Sequence, residues 1–167
     1  MSEAQSQAKD AARARAHDLI DRGYQAQLEG RTSLAKACLR ESLAVAPTAL
    51  AHALLGWALA AEGRIDQAIA QCLASIRLDP GLGNAWSDIG AYLLEKGQDR
   101  AARGYLERAL GMKRFERHHY AHGNLGRVYR RQGLLGKALD EFRIALALEP
   151  RDSAAKKAIR EILRIYN

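Results

Sequence analysis

The chain has 167 residues, enough for one ordinary domain with a sizeable core. It is 48% hydrophobic but only 6% aromatic, so alanine, leucine and isoleucine must fill that core. No apolar run approaches the roughly 18 residues of a membrane span, and the N-terminal MSEAQSQAKD lacks the apolar stretch of a secretory signal. The formal charge of +7 is uneven: residues 115–167 hold eleven Lys/Arg against six Asp/Glu, while residues 48–80 hold two against three. This pattern predicts a soluble, cytoplasmic protein with no membrane contact, and it favours acidic partners or nucleic acid without saying anything about fold.

Residues 1–15 are polar and alanine-rich and read as a helical extension. From residue 16 a helix–turn–helix pattern begins and then recurs. Gly23, Gly56, Gly90 and Gly126 are 33, 34 and 36 residues apart. Gly30, Gly63, Gly97 and Gly133 keep the same three intervals, and so do Ala35, Ala68, Ala102 and Ala138. Three independent series in one register predict a repeat array with units at 16–47, 49–80, 83–114 and 119–150. The longer last interval places a two-residue insertion around Met112–His118.

Each small residue has a physical reason. Glycine at a helix crossing lets two backbones approach closely. The turn glycine ends the first helix of a pair in a left-handed conformation without a Cβ penalty. Pro47, Pro80 and Pro150 close second helices, because proline cannot donate the next hydrogen bond.

The fourth unit is the clearest: His122, Leu125, Gly126 and Tyr129, then Gly133, then Ala138, Phe142, Ala145 and Pro150. It resembles the tetratricopeptide repeat, whose signature is W-x2-L-G-x2-Y, then A-x3-F, then P. His122 stands at the tryptophan place. The third unit supplies Trp86, Ile89, Gly90 and Leu93 but no closing proline, and the second has His52 for tryptophan and Cys72 for phenylalanine. The first is the weakest, with Leu19, Gly23, Ala26, Gly30, Ala35, Leu39 and Pro47 in place but Arg22 for leucine and Ser42 for alanine. The resemblance implies an all-α, right-handed superhelical solenoid of four helix pairs.

After Pro150, Asp152 or Ser153 can cap a further helix within residues 151–167. Ala155, Ile159, Ile162, Leu163 and Tyr166 make one apolar stripe, opposite Lys156, Lys157, Arg160, Glu161 and Arg164. The pattern fits a helix that covers the apolar end of the array. A basic amphipathic helix for a membrane or a partner helix has the same pattern.

The residue types that carry chemistry do not converge. Cys38 and Cys72 lie inside predicted helices, outside any C-x-x-C or Cys/His cluster, and read as buried free thiols. His118 and His122 are spaced to share a helix face, but His52 and His122 occupy the tryptophan place of their repeats and no third ligand accompanies them. GLGN at 81–84 lacks the rest of a phosphate loop. We therefore expect no catalytic residues, no metal and no cofactor.

Partner binding is the better expectation. In the family the first helix of each pair lines a concave groove that holds extended peptides or partner helices. The matching stripes are His17, Asp21, Tyr24 and Leu28; then Leu50, Leu54, Trp57 and Ala61; then Asn84, Asp88, Ala91 and Glu95; then Tyr120, Asn124, Arg127 and Arg131. The expected groove residues are Tyr24, Leu50, Trp57, Asn84, Tyr120, Asn124, Arg127 and Arg131. Tyr24 and Trp57 either anchor a ligand or pack between helices. The two arginines either meet an acidic ligand or pair with Asp88 and Glu95. Some members clamp a partner's C-terminal carboxylate with lysine and asparagine on the first two repeats. Here Ile20, Tyr24 and Leu54 stand at those places, so docking to heat-shock chaperone tails is not expected.

The expected function is thus a non-catalytic module for protein–protein interaction, binding a peptide or partner helix that has an apolar anchor and an acidic end. The alternatives are an RNA- or polyanion-binding helical repeat using the basic last third, and a self-associating scaffold that forms a homo-oligomer.

Overall fold

The computed structural model describes residues 3–166, with the side chains of Ala4 and Tyr166 outside the description. Among these residues there are nine helices and no strand. In chain order they are α1 (Glu3–Leu28), α2 (Thr32–Val45), α3 (Ala49–Ala61), α4 (Ile65–Leu78), α5 (Gly83–Glu95), α6 (Asp99–Leu110), α7 (His118–Arg131), α8 (Leu135–Leu148) and α9 (Ser153–Tyr166). The chain divides into two compact units, Met1–Pro80 and Gly81–Asn167.

In the first unit α1 packs on α2, α3 on α4, and α2 on α3. In the second, α5 packs on α6, α7 on α8, α6 on α7 and α8 on α9. This is the helix-pair repeat that the sequence predicts, four pairs and a ninth helix.

The turns that make the pairs are nearly superimposable in their chemistry. Gly30, Gly63, Gly97 and Gly133 have φ of 72°, 75°, 73° and 73°, the left-handed region that costs other residues energy. The residue after each glycine donates its N–H five residues back: Arg31 to Ala26, Arg64 to Leu59, Gln98 to Leu93 and Leu134 to Tyr129, at 2.8–3.1 Å. That bond satisfies a carbonyl at the end of the first helix and starts the second one antiparallel to it.

The crossing glycines are required by contact. A Cβ on Gly23, Gly56, Gly90 or Gly126 would lie 2.8 Å from Leu39, 2.9 Å from Cys72, 2.6 Å from Leu106 and 2.8 Å from Phe142, respectively. Cys72 therefore does fill the phenylalanine place, as a fully buried small hydrophobe. In the second, third and fourth pairs, the tryptophan place meets the residue 19 positions later. Trp86 packs against Tyr105 at 5.7 Å between ring centroids. Nδ1 of His52 lies 2.7 Å from Gln71 Oε1, and Nδ1 of His122 lies 2.7 Å from Glu141 Oε2. These histidines hold helix to helix.

The insertion has a structural use. Segment 111–117 links α6 to α7, and Arg114 accepts a 3.0 Å hydrogen bond from the N–H of Gly83. Buried Phe115 then lies over Gly83, where a Cβ would come within 2.4 Å of it. The fourth pair is tied to the start of the third by backbone and ring together.

Asp152 caps α9, its Oδ1 accepting from the N–H of Ala155 at 2.9 Å. Ala155, Ala158 and Ile162 are buried against Ala138, Leu139, Phe142 and Ala145, with Ile159 half-buried beside them. The expected stripe needs one correction. Leu163 remains 39% exposed, while Ala158, outside the expected stripe, is buried. Tyr166 of that stripe lies outside the described side chains.

Candidate partner-binding face

In the first unit, the stripe left free by helix packing carries exposed His17 and Asp21 and then aromatic and aliphatic side chains. Tyr24 of α1 and Trp57 of α3 approach to 6.2 Å between ring centroids, tilted at 46°. Tyr24 is 42% exposed and Trp57 is half-buried, so the pair both packs together and offers its edges. Leu28 and Leu50, exposed on the same two helices, extend the patch. On α1, the Oε1 of buried Gln27 has no hydrogen-bond partner in the protein.

In the second unit the corresponding face is polar. Asn84 on α5 has an unpartnered, buried Oδ1. Asp88, one turn on, is also buried and accepts from Arg117 Nη2 at 3.1 Å. Burial pushes its carboxyl up to about 6, and the Arg117 guanidinium opposes part of that rise. Arg117 precedes α7 and also lies 5.9 Å from the Tyr120 ring.

The two stripe arginines behave differently. Arg131 turns away and donates to the carbonyl of Leu94 at 2.7 Å and to Asp99 Oδ1 at 3.0 Å. The alternative in which it pairs with Asp88 or Glu95 is not seen among the described residues: Arg117 holds Asp88, and Asp99 lies at the start of α6 within reach of the long side chain. Arg127 points to the open face. Its Nη1 donates to Asn124 Oδ1 at 2.9 Å, and among the described residues no carboxylate reaches it.

Asn124 is only 4% exposed. Since Arg127 must donate to an oxygen, the amide is oriented, and its Nδ2 is left without an acceptor in the protein. Leaving such a donor unmet costs about 1–3 kcal/mol. Tyr120, Asn124 and Arg127 share an open hollow of about 680 Å³ with His119, Phe142 and residues of α9. Its size is that of a small-ligand cleft. The sequence marked these three residues by stripe position, but the part played by α9 and by Arg117 was not legible.

Of the remaining histidines, His118 stacks near Phe115 at 4.7 Å and His119 lies 6.4 Å from the Tyr120 ring. Among the described residues no group of three His, Cys, Asp or Glu is arranged to hold a metal. No helix there is long and apolar enough to cross a membrane.

Comparison with known proteins agrees with this architecture. Structures of similar fold include pilF of Pseudomonas aeruginosa, 23% identical with a TM-score of 0.84, covering 95% of this chain and 70% of that one. MamA is 21% identical with a TM-score of 0.70, covering 86% of this chain and 84% of that one. The first TPR of Spaghetti (RPAP3), solved with an HSP90 peptide, is 19% identical with a TM-score of 0.66, covering 71% and 95%. At these identities the likeness is one of fold. No curated protein matches the chain. The sequence model of the tetratricopeptide repeat, however, matches residues 20–82 and 88–155, most of the length. With its four turn glycines, four crossing glycines and paired helices, the chain belongs to the tetratricopeptide repeat family.

Proposed function

We propose that the chain is a non-catalytic binding module that holds a protein segment on the face presented by the first helices of its pairs. The observation that carries this reading is the set of large and polar groups left unused on that face. Tyr24, Leu28 and Leu50 are exposed beside Trp57 in the first unit. In the second, Tyr120 and Arg127 are exposed on α7. Large side chains that the fold leaves exposed are suited to a ligand. The peptide bound by the Spaghetti (RPAP3) repeat belongs to that protein, but it supports the idea that the fold accommodates an extended segment.

The polyanion alternative draws on the basic last third. There Arg117, Arg130 and Arg131 are each paired with a carboxylate at about 3 Å, which lowers the charge available to phosphates. Self-association has no observation in its favour.

The test is affinity capture from source cells with wild-type and variant chains, followed by affinity measurement on the captured partner. Trp57→Ala should weaken binding by about 2 kcal/mol or more if the aromatic is an anchor. Arg40→Glu, on the exposed side of α2, should leave binding unchanged. Equal loss in both variants, or steep weakening of wild-type binding by salt in the manner of phosphate contacts, would refute the reading.

A further inference from the structure

We propose that the outward flank of α9 is the seat of an acidic amphipathic helix from a partner protein, lying where the second helix of a fifth pair would lie. This is a second binding surface, separate from the face of the first helices.

The register defines the seat. Pro80 precedes Trp86, Ile89, Gly90 and Leu93 of α5 by 6, 9, 10 and 13 residues, and Pro150 precedes Lys156, Ile159, Arg160 and Leu163 by the same intervals. Burial agrees: Ala155, Ala158 and Ile162 are buried, as are Ala121, Asn124 and Val128, 34 residues earlier on α7. α9 is therefore built as a first helix. In the third and fourth pairs a second helix covers these places, with Tyr105 on Trp86, Leu106 over Gly90, Glu141 on His122 and Phe142 over Gly126. On α9, Lys156, Arg160 and Leu163 are exposed and Ile159 is half-buried. Glu161, on the opposite flank, reaches Arg130 of α7 at 2.9 Å, so the four places turn away from α7.

The side chains on the seat define its occupant. A Cβ at Gly90 or Gly126 would come within 2.6 or 2.8 Å of the second helix, and Arg160 brings a whole guanidinium to that place. A helix of the repeat's own kind cannot pack there. The occupant stands further out and meets the guanidinium with an acid. Lys156, Arg160 and Arg164 recur every fourth residue and make one row. Among the described residues no carboxylate reaches any of the three: Glu161 is held by Arg130 and Lys157, and Asp152 caps the helix. Arg151 lies before α9, outside the row. Ile159 and Leu163, also four apart, make an apolar seam beside the row. A helix with carboxylates at the same spacing next to an apolar stripe matches both. The fourth pair already shows the motif, since Glu141 meets His122 at the place that Lys156 occupies on α9. A second copy of α9 would set like charges against each other. An anionic membrane fits less well, because Leu163 and Ile165, two residues apart, point to different sides of the helix.

The test is an NMR titration of the isotopically labelled full chain with an acetylated, amidated helical peptide of repeated Leu-Glu-Ala-Ala. Its Leu-Lys-Ala-Ala counterpart and phosphatidylserine vesicles are the comparisons. The acidic peptide should shift Lys156, Ile159, Arg160 and Leu163 saturably and bind about tenfold or more tightly than the basic one. Arg160→Glu together with Arg164→Glu, both at exposed positions, should reverse that preference with the melting temperature nearly unchanged. Leu163→Ala should weaken the acidic peptide several-fold. No saturable shift, equal binding of the two peptides, an unreversed preference, or shifts confined to the first helices would each overturn the proposal. So would vesicles that shift the same residues while the peptide does not, or dimerisation of the chain alone through α9. The seat does not involve Trp57, so a failure here leaves the reading of the first-helix face standing, and Trp57→Ala should leave peptide binding unchanged.

Discussion

Asp88 lies buried on α5, 3.1 Å from Arg117, and its carboxyl is pushed up to about 6 from an ordinary 3.8. Burial wins over the ion pair because Arg117 is itself half exposed and its charge is partly screened by water. A raised folded-state value means that the protonated form is favoured by folding. The associated stability is fully present below about 3.8 and is lost as the pH rises through about 6. Two pKa units correspond to about 3 kcal/mol. Asp88→Asn, which cannot ionise, should therefore stabilise the chain by about 1–3 kcal/mol at pH 7.5 and by almost nothing at pH 4, read from urea melts. A gain of the same size at both pH values would show that charge is not the cause. Two serines show the same logic in neutral form. Ser42 donates to the Ala16 carbonyl at 2.9 Å, which explains how a hydroxyl is tolerated at an alanine place, whereas Ser75, one repeat later, has no partner for its buried hydroxyl.

The pairs of helices were legible because their determinants are local and repeated. A turn glycine at φ near 73° and a crossing glycine facing Leu39, Cys72, Leu106 or Phe142 leave the same trace four times. The ninth helix has no second copy to check against, and its apolar period alone could not choose between Ala158 and Leu163. The structure buries Ala158 and Ile162 and leaves Leu163 outside. Ile162→Ala should accordingly cost about 2–5 kcal/mol, while Leu163→Ala should cost well under 1 kcal/mol. Thermal or denaturant melts of the two variants check this, and equal losses would mean that α9 packs differently. The insertion was legible only as two extra residues. That Phe115 would cover Gly83 and Arg117 would reach Asp88 depends on contacts some thirty residues apart, which no local pattern encodes.

Across the whole molecule, the repeat determines which helices present a face, and the side chains on that face determine what it can hold. The stripe positions were legible from register: Tyr24, Leu50 and Trp57 in one unit, and Asn84, Tyr120, Asn124 and Arg127 in the other. Arg131 shares the α7 stripe, but its long side chain folds back to Leu94 and Asp99, a choice made by side-chain reach and not by register. The central claim is that a protein segment lies along the first helices. Hydrogen–deuterium exchange or NMR footprinting of the chain with its captured partner segment tests it most directly. Protection or shifts confined to the exposed stripe residues of the first helices, Tyr24, Leu28, Leu50, Tyr120 and Arg127 among them, are the predicted result. A footprint on the outer faces of α2, α4, α6 and α8 would contradict it.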